Sequence, residues 1–308
     1  MDRAQACPCC GHTELGSLPA VVAPFIADYV FGRAPWATAL LECRACGFRF
    51  FEGRFSREEE ARLYAGYRKE AYFQSRHRFE WWYTRRANEA IGADPEEIGF
   101  RKERLARTLA AAPEAAAIRS VLDYGGDRGQ FIPDGVGQER YVLDISAAEP
   151  VAGVTALKDA AGLGPGRTVD LVVLSHVLEH AAQPAGLLGQ AGALLGPGGL
   201  IYVEVPLERY NLRWLPRGAW YGRYVGALAR HPFWLGWVDF LTTVFRIKTG
   251  VVPPLGVLKA HEHINFFNQR SLERLLADQG FSVISAGLLQ NHPGSVFHTS
   301  LFGLARKG

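Results

Sequence analysis

Short apolar runs separated by glycine-rich or acidic turns fill much of the second half of the chain. The runs at 121–122, 141–143, 155–163, 169–176, 200–205, 281–288 and 295–305 are interpreted as strands or strand-containing segments. The run at 169–176 is almost continuously apolar, which is typical of a strand buried on both faces of a parallel sheet. The pattern therefore predicts an α/β domain in this part of the chain.

The segment before these strands has helical signals instead. Ser56 and Glu59 have the spacing of a capping box, so a helix is expected to begin there. We predict helices from about residue 58 to residue 112, interrupted near 92–95, where a glycine and a proline occur. Ser271 is expected to begin a further amphipathic helix that ends at Gly280.

The turn after the first predicted strand carries the candidate chemistry. Residues 121–129 read Val-Leu-Asp-Tyr-Gly-Gly-Asp-Arg-Gly, so Asp123 ends the strand and three glycines follow. Glycine permits positive φ and close approach of a ligand to the backbone. Ligands of open α/β sheets bind beyond the carboxyl ends of the strands. Asp144 ends the next predicted strand, where an acidic residue that binds ribose hydroxyls is expected.

These motifs resemble those of the class I S-adenosylmethionine-dependent methyltransferases. The matching stretches are 121–129, Val-Leu-Asp at 142–144, Asp-Leu-Val-Val-Leu-Ser-His-Val-Leu-Glu-His at 170–180 and Leu-Gly-Pro-Gly-Gly at 195–199. The resemblance implies a Rossmann-like sheet of seven strands, mostly parallel, with the last strand antiparallel. It also implies that S-adenosylmethionine is the cofactor.

The same resemblance assigns residues to the cofactor site. Asp123, Gly125 and Gly129 would surround the methionine part, Asp144 would bind the ribose, and Asp159 would lie near the adenine. The other implied cofactor-binding residues are Gly126, Ile145, Ser175 and His176. Helices before the first strand often cover the cofactor and substrate in this family. One or two tyrosines of 58–112 are therefore expected either to line the site or to pack on the sheet.

One position in the turn departs from the family pattern. Asp127 stands where the family usually has glycine. Because Asp tolerates the left-handed region better than most residues, the turn is expected to keep its shape. Pro133 and Gly135 interrupt the segment after the turn, so the helix there is expected to be short.

Two Cys-x-x-Cys-Gly sequences predict a metal site near the amino terminus. Cys7 and Cys10 form the first pair, and Cys43 and Cys46 form the second. Four thiolates suit a structural zinc ion, which leaves no open position for catalysis. A disulfide is the alternative, but nothing in the sequence indicates export. The fifth cysteine, Cys9, is expected to be a bystander.

A long insertion, 207–258, follows the fifth predicted strand. It is too long for a plain loop. Its tryptophans are Trp214, Trp220, Trp234 and Trp237, among many apolar and basic residues. Three interpretations remain open: a lid over the substrate, a surface that touches a membrane or a lipid-linked substrate, and ordinary helical packing.

The stretch 262–268, Glu-His-Ile-Asn-Phe-Phe-Asn, resembles methyltransferases of sugar and surface-glycan biosynthesis. Together with the cysteine pairs, it is similar to the deoxysugar C-methyltransferases. In those enzymes the histidine of this motif is proposed as the base, which corresponds to His263 here. Histidine suits proton removal because its ordinary pKa lies near neutrality. His180 and His176 are further candidate bases, and Glu262 would orient a histidine or bind a sugar hydroxyl.

The resemblance to sugar enzymes also suggests how an acceptor would be held. Trp220 and Tyr221 are expected to stack on sugar faces. Arg209 or Arg213 would bind the phosphates of a nucleotide or lipid carrier. The predicted function is S-adenosylmethionine-dependent methyl transfer to a small-molecule or glycan acceptor of the sugar type, with a histidine as general base.

Composition and charge set the outer limits. The 308 residues are 48% hydrophobic, as in a soluble globular protein, and the net charge is +3. This weak charge, and the lack of a basic run with interleaved stacking residues, argue against nucleic acid. An RNA methyltransferase with an amino-terminal zinc module and a non-catalytic scaffold remain the alternatives. No signal peptide or uncharged run of roughly 20 residues occurs, so a cytoplasmic location is expected.

Together these features predict three regions. Residues 1–55 form a zinc-binding module, and residues 56–118 form a helical region. Residues 119–308 form the methyltransferase domain, interrupted by the insertion 207–258. The oligomeric state is not indicated by the sequence.

Overall fold

The computed structural model describes residues 1–146, 148–208, 211–290 and 299–308. In chain order the strands are β1 (Asp2–Arg3), β2 (Leu15–Val22), β3 (Ala37–Cys43), β4 (Arg49–Phe51), β5 (Gly53–Arg54), β6 (Ser120–Tyr124), β7 (Glu139–Leu143), β8 (Thr155–Leu157), β9 (Val169–Ser175), β10 (Leu195–Pro206), β11 (Lys259–Ala260), β12 (Asn265–Phe266), β13 (Phe281–Gln290) and β14 (Thr299–Lys307). The α-helices are α1 (Pro24–Tyr29), α2 (Arg57–Tyr64), α3 (Glu70–Phe79), α4 (Arg85–Ala90), α5 (Pro95–Ala110), α6 (Pro184–Ala193), α7 (Ala219–Ala229), α8 (Pro232–Thr249) and α9 (Gln269–Asp278). Two 3₁₀ helices span Pro113–Ala117 and Ala160–Leu163.

The chain folds into two compact units, each built from separate segments. The first unit consists of Met1–Cys7, His12–Ile91 and Glu208–Phe266. The second consists of Pro8–Gly11, Gly92–Leu207 and Phe267–Gly308. Residues 208–258 of the insertion therefore fold with the amino-terminal segments, whereas the sequence prediction counts them within the region 119–308.

A seven-stranded sheet forms the centre of the second unit. Its strand order is β13-β14-β10-β9-β6-β7-β8. Strands β10, β9, β6, β7 and β8 are parallel, and β14 is antiparallel to both of its neighbours. The predicted Rossmann-like α/β fold, with seven strands and an antiparallel last strand, is confirmed. Its core includes Val121, Leu171 and Leu200 from the sheet and Leu105 from α5.

Some element boundaries differ from the prediction for local reasons. The segment between β6 and β7 contains turns and no helix, because Pro133 and Gly135 (φ 83°) interrupt it. Strand β10 already begins at Leu195, which pairs with Val169 before an irregularity that ends at Leu200. The segment 295–298 of the last predicted strand lies outside the described residues.

Helix α9 begins at Gln269, two residues before the predicted start. Asn268 is its N-cap, and the Asn268 side chain accepts the Ser271 N–H. In return, the Ser271 hydroxyl accepts the Asn268 N–H at 3.0 Å. The reciprocal bonds form a capping box, so Ser271 contributes to the cap from inside the first turn.

A five-stranded sheet organises the first unit, in the order β11-β2-β3-β4-β12. Its two edge strands come from the region just after the insertion, far from β2–β4 in sequence. Helix α2 begins after Ser56 with the predicted capping box to Glu59. The core of this unit includes the fully buried Phe25, Tyr72 and Ile264. Among the helices that the structure describes, none is long and apolar enough to cross a bilayer.

Candidate functional site

The turn after β6 has the backbone shape that its sequence favours. Gly125 and Gly129 have φ values of 73° and 71°. Asp127 has a φ of 55°, so it adopts the left-handed conformation expected of it. A Cβ atom added to Gly126 would lie 2.0 Å from the carboxyl carbon of Asp123. Glycine is therefore required at position 126 because the Asp123 carboxylate occupies the adjacent space.

Asp123 is the most unusual carboxylate of this site. It ends the buried part of β6 and is only 1% exposed. Within the described part of the chain, neither of its side-chain oxygens has a hydrogen-bond partner. The pKa of Asp123 is raised from 3.8 to about 7, mainly by burial; the charge of Arg101 opposes this shift, and the neighbouring carboxylates of Asp144 and Asp127 add to it. A buried carboxylate without a donor fits a site that a ligand's donor group completes.

Asp144 follows β7, the strand that pairs with β6. Its carboxylate accepts the N–H of Asp127 at 2.8 Å and the N–H of Ser146 at 2.7 Å. Both oxygens thus hold backbone of the two loops, and each retains a second lone pair for a ribose hydroxyl. Asp144 was predicted as a ribose ligand, and its contact with the turn adds a supporting role.

Two further predicted cofactor-binding residues, Ile145 and Asp159, are on the surface of the second unit. Ile145, next to Asp144, exposes 57% of its surface. Asp159 is also exposed and caps the 3₁₀ helix Ala160–Leu163 by accepting the Gly162 N–H at 3.1 Å. The predicted cofactor-binding roles of Ile145 and Asp159 stay predictions.

Ser175 and His176 lie at the carboxyl end of β9, beside β6 in the sheet. The Ser175 hydroxyl accepts an N–H of Arg101 at 2.8 Å. His176 has a φ of 59°, and its two ring nitrogens lie 3.3 Å from Glu179 and 3.2 Å from Glu204. Burial alone would lower the pKa of His176, but the bonds to these two carboxylates outweigh burial and raise it. A histidine whose two ring nitrogens both face carboxylates is poorly placed to accept a proton from an acceptor.

Glu204 belongs to a buried charged cluster that the sequence reading missed. It lies in the apolar strand β10, contacts a guanidinium nitrogen of Arg104, and accepts the Tyr202 hydroxyl at 2.8 Å. Burial opposes its ionisation, but His176 and Arg104 together hold the pKa of Glu204 below its usual range. A single acidic residue inside the apolar run 200–205 was the available signal, since a buried charge requires a partner.

Arg101 is the second residue that was missed. Besides Ser175, it contacts Glu97 at 3.5 Å and stacks over the ring of Phe131 at 3.6 Å. Its positive charge lowers the pKa of Asp123, although less than burial raises it. Nothing in the helical pattern of α5 distinguishes Arg101 from the other arginines there. Only the fold brings its charge into range of the turn.

The two remaining candidate histidines lie in different units. In the second unit, His180 is half-buried, with Nε2 3.9 Å from a Glu179 oxygen. In the first unit, Nδ1 of His263 contacts the carboxylate of Glu208. Glu208 also lies 3.6 Å from a guanidinium nitrogen of Arg246. The His263–Glu208 pair has the arrangement in which a carboxylate orients an imidazole.

Glu262 occupies a buried network of the first unit. Its carboxylate accepts the hydroxyl of Tyr72 and, at 3.3 Å, an N–H of Arg76. Arg76 in turn pairs with Glu80 at 2.9 Å. These contacts give Glu262 a role in packing, and its predicted role toward histidine or a sugar hydroxyl stays a prediction.

The residues of the insertion that were predicted to contact the acceptor differ in their solvent exposure. Tyr221 is fully buried and its hydroxyl donates to the Gly256 carbonyl, so the prediction that it stacks on a sugar is wrong. Trp220 is 49% exposed and remains able to stack. Arg213 is exposed, and Arg209 lies outside the described residues.

The four cysteines of the two Cys-x-x-Cys pairs come together. The sulfur atoms of Cys7, Cys10, Cys43 and Cys46 all lie within 4.8 Å of one another. The Cys7 and Cys46 sulfurs are 3.8 Å apart, which is too long for a disulfide bond. Two thiolates at about 2.3 Å from a tetrahedral zinc ion would be about 3.8 Å apart.

The turns that carry these cysteines also fit a metal site. Gly11 and Gly47, which follow the pairs, have φ values of 72° and 71°, as the tight turns require. Cys9 has a different environment, because its thiol donates to the Ser271 carbonyl at 3.2 Å. The residues present therefore fit zinc with four cysteine ligands, and Cys9 has a separate partner.

The chain has matches among protein families and solved structures. A family model described as a methyltransferase domain matches residues 98–286. No curated protein matches the chain. Three methyltransferases are among the solved structures with which the chain aligns, at low sequence identity.

The first is the 1,6-didemethyltoxoflavin-N1-methyltransferase of Burkholderia thailandensis, with 16% identity and a TM-score of 0.46, over 88% of this chain and 95% of that one. The second is the N-methyltransferase NodS of Bradyrhizobium japonicum WM9, with 12% identity and a TM-score of 0.37, over 67% and 87%. The third is the magnesium protoporphyrin IX methyltransferase of Synechocystis PCC 6803, with 13% identity and a TM-score of 0.37, over 69% and 86%.

Proposed function

The chain belongs to the methyltransferase-domain family, and from that premise we propose that it transfers a methyl group from S-adenosylmethionine to a small-molecule or glycan acceptor of the sugar type. The observation that carries the cofactor assignment is the buried carboxylate of Asp123. It lies against Gly126 at the end of β6 and lacks a donor among the described residues. The ammonium of the methionine part would supply that donor.

The turn and the ends of β7 and β9 support the other proposed contacts of the cofactor. Gly125 and Gly129 would let the backbone approach the methionine part, and Asp144 would bind the ribose hydroxyls. Ile145 would cover the adenine with Asp159 near its edge, and Ser175 and His176 would complete the site at the end of β9. When bound, S-adenosylmethionine supplies an electrophilic methyl group on a sulfonium.

The general base is the second part of the proposal. His263 would remove the proton from the acceptor atom, and Glu208 would hold the imidazole in the orientation and tautomer that the transfer requires. His180 is the alternative base, although its Nε2 lies 3.9 Å from the nearest Glu179 oxygen, farther than His263 lies from Glu208. His176 is a weaker choice because both of its ring nitrogens already face carboxylates.

The zinc ion would stabilise the structure, and the insertion would bind the acceptor. Cys7, Cys10, Cys43 and Cys46 would hold one structural zinc ion. The exposed Trp220 would stack on a sugar face, and Arg213 would bind a phosphate of a nucleotide or lipid carrier. The insertion also carries the proposed contact with a membrane, and we propose a cytoplasmic location.

Calorimetry with S-adenosylhomocysteine tests the cofactor assignment. We expect the wild type to bind it and Gly126→Ala to lose binding, because the added methyl group would displace the Asp123 carboxylate. Gly99→Ala is the matched control, since Gly99, like Gly126, lacks a positive φ but has nothing near its missing Cβ. A wild type that does not bind would refute the cofactor assignment and favour a non-catalytic scaffold.

A transfer assay then tests the acceptor class. Methyl-labelled S-adenosylmethionine is incubated with the protein and separate pools of nucleotide-linked sugars, lipid-linked sugars and total RNA. The proposal expects label in a sugar pool and loss of that label in His263→Ala. Label in RNA alone would replace the proposal with the RNA methyltransferase alternative.

A further inference from the structure

Helix α8 has its polar and apolar faces reversed relative to an ordinary surface helix. Leu235, Asp239 and Thr242 are buried, at the spacing of one helical face. The opposite face exposes Phe233 by 68%, Trp234 by 62%, Trp237 by 44% and Leu241 by 59%. A surface helix normally turns its apolar side chains toward the core.

The buried polar side chains of α8 explain why the helix is held in this orientation. The Asp239 carboxylate accepts a bond from the Lys259 ammonium at 2.7 Å, and Lys259 also donates to Glu80 at 2.7 Å. The Thr242 hydroxyl accepts the Val257 N–H at 3.2 Å. Rotating the helix to bury its aromatic side chains would break these bonds. The buried charges would then either become exposed or lose their partners.

The exposed aromatic side chains continue beyond the helix into one surface. The ring of Trp81, itself 43% exposed, lies 5.0 Å from Trp237 and 5.3 Å from Phe240. We call the set Trp81, Phe233, Trp234, Trp237 and Leu241 the aromatic face. Contiguous exposed apolar surface of this kind marks a binding site for a partner or a membrane.

The charge of the residues around the aromatic face favours a negatively charged partner. Residues 211–258 contain six Lys and Arg side chains and one acidic side chain, a net charge of +5, while the whole chain carries only +3. The single acidic residue is Asp239, which is buried and paired with Lys259. Arg223, Arg230 and Lys248 are exposed on and beside the two helices of the insertion.

We propose that the aromatic face docks on an anionic lipid bilayer, with α8 lying in the plane of the headgroups. Tryptophan and phenylalanine favour the headgroup boundary, and the cations around them would bind lipid phosphates. A second copy of the chain fits less well, because a two-fold contact through α8 would bring like charges together. The inference rests on the membrane contact named in the proposed function and specifies its surface and its lipid, and its test does not depend on methyl transfer.

Co-sedimentation with vesicles tests the proposal. The wild type is expected to bind phosphatidylcholine vesicles that contain phosphatidylglycerol, and to bind pure phosphatidylcholine much less. The double variant Trp234→Ser/Trp237→Ser is expected to lose more than about ten-fold in affinity, because its aromatic anchors are gone. Leu288→Ser is the matched control, since Leu288 is an exposed apolar residue in β13.

A second pair of variants tests how much the cationic side chains contribute to vesicle binding. Arg230→Gln should weaken vesicle binding about five-fold, since each cation near an anionic surface contributes about 1 kcal/mol. Arg270→Gln removes an exposed cation from α9 and should leave binding unchanged. Higher salt should weaken wild-type binding and reduce the effect of Arg230→Gln.

Several results would overturn the proposal. One is wild-type protein that remains in the supernatant with anionic vesicles at low salt. A second is a double tryptophan variant that binds as the wild type does. A third is wild type that is a dimer without lipid and a variant that is a monomer, which would identify a second copy as the partner. Circular dichroism of each variant confirms that the fold is retained.

Discussion

The buried carboxylate of Asp123 makes a sharp prediction about stability and pH. In the unfolded chain its pKa would be the ordinary 3.8, and in the folded protein it is about 7. The interval corresponds to about 4 kcal/mol, since each pKa unit is equivalent to about 1.36 kcal/mol. Asp123→Asn keeps the shape of the side chain and removes the ionisation.

Whether the free energy of unfolding rises or falls with pH depends on which state, folded or unfolded, binds the proton of Asp123. Between pH 3.8 and about 7 the folded protein keeps a proton on Asp123 that the unfolded chain has lost. The free energy of unfolding therefore falls as pH rises through this window, and above it the penalty is constant. Between pH 5 and pH 8 the wild type should lose about 3 kcal/mol that Asp123→Asn does not lose.

Hydrogen–deuterium exchange in urea measures this difference for the unit that contains Asp123. The peptide covering β6 reports the unfolding of that unit, at pH 5 and at pH 8, with rates corrected for intrinsic exchange. Asp2→Asn is the control, because it removes an exposed carboxyl of β1. Equal pH dependence in the wild type and in Asp123→Asn would refute the reasoning.

The proposed ligand contact adds a second readout for the same residue. If the cofactor's ammonium pairs with ionised Asp123, the affinity for S-adenosylhomocysteine should rise with pH through about 7 and be accompanied by proton release. Asp123→Asn should bind more weakly and without this pH dependence. Calorimetry in buffers of different ionisation enthalpy measures the released proton, and a wild type that releases none would contradict the contact.

Four further predictions concern the site residues. Asp144→Ala should weaken binding of S-adenosylhomocysteine by roughly ten-fold or more, because charge-assisted hydrogen bonds contribute about 1.5–3 kcal/mol each. The same variant should have a lower melting temperature, since the Asp127 and Ser146 N–H groups lose their acceptor. Cys43→Ser should lose zinc in metal analysis while Cys9→Ser keeps it, and zinc-free wild type purified without chelator would contradict this. His263→Ala should lower the rate by about 10²–10⁴ with cofactor binding and melting temperature nearly unchanged, whereas a merely structural histidine would lower stability and leave the rate per folded molecule normal. Arg101→Met should move the pH dependence of β6 exchange to higher pH, because the charge that opposes the raised pKa of Asp123 is gone, and an unchanged midpoint would count against that contact.

The seven-stranded sheet was predictable because its signals are local. The nearly continuous apolar run of β9 and the acidic residues after β6 and β7 mark strands and their carboxyl ends in the sequence itself. The same is true of α2, which the capping box of Ser56 and Glu59 begins. The five-stranded sheet was not predictable in this way. Strands β11 and β12 are two residues long and join a sheet whose other strands lie more than 200 residues earlier.

In the candidate site too, features with local sequence signals were predictable, and contacts between distant residues were not. Glycines and acidic residues at fixed spacing identified the turn, and Asp127 could be expected to adopt positive φ from residue type alone. The partners of His176 could not be found, because Glu204 is 28 positions away and reaches it only through the pairing of β9 with β10. Tyr221 was misread for a related reason: an aromatic residue in an amphipathic helix has no marker that tells the buried face from the exposed one until its neighbours are known.

Helix α8 shows why hydrophobic pattern alone assigns the wrong face to some helices. The sequence contains two stripes, one of Leu235, Asp239 and Thr242 and one rich in aromatic residues, and periodicity favours burying the second. The structure buries the first because Lys259 neutralises Asp239 at 2.7 Å, a partner that lies 20 positions later in the chain. Replacing Lys259 with methionine should therefore destabilise the first unit, by about 3–5 kcal/mol, since it removes the ion-pair partner of the buried Asp239, while Glu80 keeps its pair with Arg76. The aromatic face, which we propose binds lipid, lies on the side of α8 opposite that ion pair and stays exposed.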